Sequence, residues 1–207
     1  MRKNLRFHKG LSMAATVLMC ISVFALGSAG DSAADVYVYS FENDMQGWRK
    51  DATDLQLGDE GKIDWSIKRS TDGAYGGGIW SLKYYLNNLN DAGKIWIEKP
   101  FKLEPYRTYR VTIRFWLASR DKSPVGAFRI IAGATPVNPE TREDLVYRGD
   151  TCNGGKDGFT WLYKDYINNF VTADKDGFLW VAVGIWGNWE VPHTYYFDQL
   201  IVVFQQQ

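Results

Sequence analysis

Two stretches of the sequence place oxygen donors where an apolar strand would be expected to run on. Residues 40–48, SFENDMQGW, follow the run VYVY and set Glu42, Asn43 and Asp44 ahead of a Gly-Trp pair. Near the other end, YYFDQLIVVF (195–204) has the same shape: aromatic residues, Phe197, then Asp198, then an apolar strand. If the first and last strands of the domain are neighbours, Glu42 and Asp198 meet, and two adjacent carboxylates repel one another unless a cation joins them. Calcium suits such a pair, because it takes 6–8 oxygen ligands and accepts backbone carbonyls among them. The turn STDGAYGGG (70–78) could add Asp72 and further carbonyls. Spacing alone favours a simpler picture, two unrelated acids each solvated at a strand end.

The second set of chemically capable residues is aromatic. All nine tryptophans follow residue 47. On the strand 108–119, Tyr109, Val111, Ile113, Phe115 and Leu117 share the core face, which leaves Arg110, Thr112, Arg114 and Trp116 on the other. On 178–186, Leu179, Val181, Val183 and Ile185 point inward, and Phe178, Trp180, Gly184 and Trp186 outward. On 94–101, Ile95, Ile97 and Phe101 point inward, with Trp96 and Glu98 outside. A tryptophan on a face opposite the core suggests a binding surface, and at least two of Trp96, Trp116, Trp180 and Trp186 are expected to face solvent. The competing expectation is that a loop, such as the irregular segment 135–158, lies over them. Trp48 and Trp80 read as core residues. The stretch WGNWEVPH, with Trp186, Asn188, Trp189 and His193, is a second possible platform at a loop edge.

The elements that must position these groups are strands. Aromatic and β-branched residues alternate over Val36–Glu42, Asp64–Arg69, Ile79–Leu86, Lys94–Phe101, Thr108–Ser119, Ala127–Gly133, Thr160–Thr172, Phe178–Trp186 and Thr194–Phe204. Turn signals separate them, among them GDEGK, NDAG, LEPYR, DKSPVG, NGGKDG and ADKDG. No segment has a helical period. The expected fold is all-β, an antiparallel sandwich or jelly roll of about nine strands.

Ahead of this domain, Arg2, Lys3, Arg6 and Lys9 precede the apolar run AATVLMCISVFAL and the small residues GSAGDSAA. The pattern is that of a secretory signal peptide over residues 1–30, cleaved between 29 and 34, with an uncleaved anchor as the alternative. The run is shorter than the ~20 apolar residues of a membrane span. The mature domain, 35–205, then holds 20 Lys plus Arg against 23 Asp plus Glu, a net charge of about −3. That excludes a polyanion binder, so no nucleic-acid partner is expected. The mature chain keeps one cysteine, Cys152, and one histidine, His193. An internal disulfide and a multi-histidine zinc site are both excluded. Cys152 is expected to be dispensable for folding.

SFENDMQGW, STDGAYGGGIWSLKYYL, KPFKLEPYRTYRVTIRFWLAS, DGFLWVAVGIWG and YYFDQLIVVF, taken in this order, resemble the jelly-roll carbohydrate-binding modules of the galactose-binding-like superfamily. The resemblance spans about residues 36–205. It implies a structural calcium held by Glu42 and Asp198, with the turn around Asp72 to Gly76 lending carbonyls. The glycine triplet Gly76–Gly78 departs from the family pattern, so the resemblance does not assign those carbonyls. It also implies a non-catalytic module that binds a polysaccharide or oligosaccharide; with the signal peptide the expected location is secreted, periplasmic or at the cell surface, and the expected state is a monomer. The expected ligand-binding set is Trp96, Glu98, Arg110, Arg114, Trp116, Trp180, Trp186 and Trp189, with Trp116 and at least one of Trp96, Trp180 and Trp186 forming a platform. Indole faces would stack on sugar C–H faces while the charged neighbours bond hydroxyls. Two other classes stay open. One is a cell-envelope module of the same fold that docks a protein. The other is a sandwich glycosidase or lyase, with Glu98, Glu140, Glu143 and Glu190 as available carboxylates and His193 with Tyr195 as a weak lyase pair.

Overall fold

The computed structural model describes residues 34–56, 61–121, 126–151 and 159–207. The expected signal peptide and Cys152 lie outside the described residues. Eleven strands are described: β1 (Ala34–Tyr39), β2 (Arg49–Thr53), β3 (Trp65–Ser70), β4 (Ser81–Asn87), β5 (Lys94–Lys102), β6 (Thr108–Ala118), β7 (Phe128–Thr135), β8 (Tyr147–Asp150), β9 (Leu162–Thr172), β10 (Phe178–Gly187) and β11 (Pro192–Gln206). A single 3-10 turn, Arg142–Asp144, interrupts them. Among the described residues no helix is long and apolar enough to cross a membrane.

The strands form two antiparallel sheets packed as a jelly roll. One sheet has the order β3-β4-β11-β6-β9, and the other β2-β5-β10-β7-β8. The long β11 takes β4 as its neighbour along residues 192–197 and β1 along residues 200–205. The first and last strands are therefore neighbours, as the acidic ends required. From β4 to β7 and from β9 to β11, consecutive strands alternate between the sheets, so the core is built from every second residue of each strand.

The inward rows match those read from alternation. Tyr109, Val111, Ile113, Phe115 and Leu117 of β6 are buried, as are Leu179, Val181, Val183 and Ile185 of β10 and Ile95, Ile97 and Phe101 of β5. Trp48 joins this core, edge-on to Tyr39 and Phe101. Trp80 does not join it. It is half-buried, with the Arg69 guanidinium 4.2 Å above its ring.

Two strands go beyond the nine expected. β2 reads RKDAT, with no apolar alternation to reveal it, and exists because it pairs with β5 from Arg49↔Glu98 to Thr53↔Lys94. β8 lies inside the segment whose prolines and glycines suggested an irregular loop. It pairs with β7.

Candidate functional site

Glu42 and Asp198 occupy the two chain ends that β1 and β11 bring together. The backbone turns sharply at each: Phe41, just before Glu42, has φ 58°, and Gln199, just after Asp198, has φ 50°. Such left-handed positions are rare for bulky side chains, and here they aim carboxylates out of the strands. β11 also slips register against β6 between Asp198 and Ile201. The turn 71–80 folds over this point. Asp198 is fully buried and accepts the Tyr75 N–H at 2.8 Å and the Gln199 N–H at 2.7 Å. Glu42 accepts the N–H groups of Ile79 at 3.0 Å and Trp80 at 3.3 Å. Burial pushes the Asp198 carboxyl up to about 6; the two N–H donors pull it down, and the charge on Glu42 adds to the rise. Among the described residues neither carboxylate forms a salt bridge. Arg69, the nearest cation, is committed to the carbonyls of Phe41 and Glu42.

This donor set fits a hard cation. It offers two carboxylates with spare lone pairs, and a carbonyl-bearing turn packed so close that a Cβ on Gly78 would meet Glu42 Oε1. A side chain at 78 would therefore have to displace the Glu42 carboxylate from its present position. Asp72 does not join it: its carboxylate is held by Lys83 at 2.5 Å and by the Tyr196 hydroxyl. No cluster of three or more acidic, histidine or cysteine side chains occurs among the described residues.

The expected aromatic platform is corrected by the sheet order. β6 belongs to one sheet, and β5 and β10 to the other, so Trp116, Arg110 and Arg114 lie on the opposite side of the sandwich from Trp96, Glu98, Trp180 and Trp186. No single platform can include both groups. None of the four outer tryptophans is well exposed either. Trp116 is half-buried, and its ring is already stacked under Tyr75, with centroids 3.9 Å apart and planes 16° apart. Arg114 is engaged by Asp165 of β9, and Arg110 is exposed farther along the same face.

On the five-stranded sheet, Trp96 is completely buried although it points away from the core. The segment 136–146 straps across this face. Leu145 packs on Trp96, Ile131 and Ala182 as a small second core. Small residues make the room: a Cβ on Gly184 would strike Trp96, and one on Gly133 would strike Val146. Trp96 Nε1 donates to Glu98 Oε2 at 3.0 Å. Glu98, also buried, takes Arg49 at 3.2 Å, and that guanidinium lies 4.7 Å above Trp180. Burial pushes the Glu98 carboxyl up, opposed by the Trp96 N–H. The Trp96–Glu98 pair is therefore a satisfied interior contact, and Trp180 is capped by Arg49.

Beyond the strap the face opens. A cleft of about 500 Å³ is lined by Trp186 and Tyr147 with Asp91, Lys94, Arg142 and Glu143. A second cleft of about 350 Å³ is lined by Asp91, Asn188, Trp189, Glu190 and Val191. Asp91 lines both, so the two are adjoining parts of one groove. Tyr147 and Trp186 pack at 4.7 Å, and Lys94 and Arg129 flank the Trp186 ring at 5.0 and 5.3 Å. Trp189 is half exposed. Trp186 Nε1 and Asn188 Oδ1, one in each part, are buried with no hydrogen-bond partner.

Of the residues offered to the catalytic alternatives, Glu143 and Glu190 line the groove, Glu98 is buried, and the lyase pair is buried as well. His193 and Tyr195 lie in the core with rings 4.5 Å apart and line neither of the two clefts. Ser119 Oγ is 3.2 Å from His193 Nε2, but it is buried and donates to the Thr194 carbonyl at 2.6 Å, so it is not an available nucleophile. Burial lowers the His193 pKa to about 4.

No family model matches the chain, and no curated protein matches it. Solved structures do match. The tandem CBM22-1–CBM22-2 domain of a Paenibacillus barcinonensis protein aligns with a TM-score of 0.50 at 13% identity, over 86% of this chain and 47% of that one. The K1 cleaved adhesin domain of Lys-gingipain from Porphyromonas gingivalis aligns at 0.49 and 12% identity, over 81% and 97%. A CBM61 module in complex with β-1,4-galactotriose aligns at 0.45 and 15%, over 79% and 92%. The chain has the jelly-roll fold of carbohydrate-binding modules. At such identities the likeness is one of fold, and a fold hosts many functions.

Within this module fold, sequence reasoning found Trp186 and Trp189 but missed Tyr147, Asp91, Lys94 and Arg142. Tyr147 sits in a stretch dominated by turn residues, and Lys94 and Arg142 come from elements far apart in sequence. The signal that could have found Tyr147 was a lone aromatic between the apolar pair Leu145–Val146 and the turn that follows.

Proposed function

We propose that this chain is a non-catalytic carbohydrate-binding module, exported from the cell, whose site is the groove running from Trp186 and Tyr147 past Asp91 to Trp189. The observation that carries this reading is the groove's construction. Aromatic rings lie in both parts, charged side chains converge on them, and Trp186 Nε1 and Asn188 Oδ1 are left without partners in the lining. Buried polar atoms are nearly always hydrogen-bonded; these two are enclosed by the lining, and a ligand or water reaches them only where the lining side chains shift. Sugar rings offer C–H faces to the aromatics and hydroxyls to Asp91, Arg142, Glu143 and Glu190. A calcium ion between Glu42 and Asp198 ties the domain's ends together and offsets the repulsion of the two acids.

The test is affinity electrophoresis of the parent, Trp189→Ala and Trp186→Ala through gels containing xylan, galactan, mixed-linkage β-glucan or polygalacturonate. The parent is expected to be retarded by at least one gel, and both variants to be retarded less. A parent that migrates freely through all of them overturns the reading. One observation favours a protein-docking module instead. Val36 and Val38 of β1 are more than half exposed, beside Ile201 and Val203 of β11 and Ile167 of β9 on the outer face of the six-stranded sheet. Free migration in every gel is the outcome that promotes it.

A further inference from the structure

The groove leaves a second aromatic assembly unused, on the opposite side of the sandwich. There, on the outer face of the six-stranded sheet, Trp116 lies flat under Tyr75. Tyr163, its cross-strand partner on β9, leans against it at 5.3 Å. Trp161 meets Tyr75 edge-on at 5.9 Å, Phe159 meets Trp161 at 5.3 Å, and Phe159 in turn covers Tyr196 at 5.2 Å. Arg120 lies 4.6 Å above Phe159. Tyr163 is half exposed, and Tyr75, Phe159 and Trp161 are half-buried. Only Tyr75 and Trp116 are stacked; the other rings meet edge-on or tilted, so the assembly presents ring edges and faces in steps.

We infer that this surface is a second glycan-binding site, with Tyr163 and Trp161 as its platform and Tyr75 as the residue that positions it. The inference rests on the carbohydrate reading above but not on the groove. An extended glycan is the occupant these groups suit: the half-exposed Tyr163 beside Trp116, with Trp161 nearby, combines aromatic surface with phenol groups, the pairing that a sugar's C–H face and hydroxyls require. The aliphatic end of the same sheet, at Val36 and Val38, has no such rings. At the rim Lys83 is paired with Asp72 and Arg114 with Asp165, while Arg120, over Phe159, donates to the Asp72 carbonyl.

The position of Tyr75 adds a coupling. Its ring covers Trp116 while its backbone N–H binds Asp198. The same turn reaches Glu42 through the N–H of Ile79. A cation that draws Glu42 and Asp198 together therefore holds the turn, and the turn holds the aromatic step. Linkage is reciprocal, so glycan bound at this surface must tighten cation binding by the factor the cation confers on it.

The experiment uses the same four gels, with Tyr163→Ala, Trp161→Ala and Tyr75→Ala run beside Trp189→Ala, in calcium and in EDTA. Each ring removed from the second surface is expected to weaken retention about 2- to 10-fold, the range of one aromatic contact. Trp189→Ala should leave a residual retention that EDTA removes and that Tyr163→Ala also removes. Calcium should shift the tryptophan emission of the parent, and Tyr75→Ala, which keeps its backbone donor, should lose most of that shift. Parent-like retention by Tyr163→Ala and Trp161→Ala, with melting temperatures unchanged, overturns this inference alone. Loss of all retention in Trp189→Ala does the same, because the groove is then the sole site. Free migration of the parent overturns the carbohydrate reading and this inference with it.

Discussion

The two outer faces of the sandwich start from the same sequence pattern and end differently. Both carry tryptophan at alternate positions opposite a core row. On the five-stranded sheet, Trp96 is sealed beneath Leu145 and bonded to Glu98. On the six-stranded sheet, Trp116 is covered by Tyr75, and Tyr163 beside it is half exposed. Alternation assigns a side chain to a face. It does not say whether another part of the chain covers that face. On one side the cover is a strap over small residues, and on the other a turn tied to two carboxylates.

The sharpest way to break this comparison is to truncate one residue from each face. Trp96→Ala is expected to cost ~3–5 kcal/mol, as for a fully buried aromatic. Tyr163→Ala should stay within about 0.5 kcal/mol, as surface changes usually do. Urea unfolding midpoints measure both, and equal losses would mean that the two faces are equally interior.

Acid should act on the core that both faces share. His193 is buried neutral, in contact with Phe128 and Tyr195 and bonded to Ser119, with Asp121 as the nearest acid. Its folded pKa, about 4, lies below the ordinary 6.5. The unfolded chain therefore takes up the proton first. The stability contributed by the neutral ring is complete above pH 6.5 and is lost as pH falls towards 4, by at most on the order of 3 kcal/mol. A His193→Gln protein should show a flatter stability profile across that window. An unchanged profile would remove His193 as the cause.

Calcium should act on the six-stranded face. At 100 times its dissociation constant the ion is expected to add ~2.7 kcal/mol, seen as a higher melting temperature in calcium than in EDTA. Glu42→Ala should abolish the difference. Asp198 gives the effect a pH sign. Without a cation its folded pKa of about 6 exceeds the ordinary 3.8, so the metal-free protein gains stability from this group as pH falls through 6. The stabilisation by calcium should thus be larger at pH 7 than at pH 5. A difference of the opposite sign would argue against a cation at Asp198.

The smallest effect comes from lifting the strap. Gly133→Val places a side chain where Val146 now packs. Overpacking of this kind costs ~1–3 kcal/mol, and Trp96 emission should shift to the red as water reaches it. A loss of stability without that shift would mean that the strap stays down and the strain is absorbed elsewhere.

The sequence by itself determined the inward rows of β5, β6 and β10 and the all-β class, while the adjacency of the first and last strands was only a condition until the pairing of β1 with β11 met it. The rows and the class follow from a period of two, a local property of the chain. It also marked Glu42 and Asp198, because an acid that interrupts an apolar strand is visible one residue at a time. Which sheet each strand joined was decided only by the tertiary structure, and that separated Trp116 from Trp96, Trp180 and Trp186. So was the existence of β2, whose RKDAT sequence becomes a strand only by bonding to β5. Of the groove only the WGNWEVPH edge, with Trp186 and Trp189, was legible, since Asp91 and Tyr147 come from two other segments distant in sequence. Exposure depends on what packs above a residue, and that neighbour is set by contacts between residues distant in the chain.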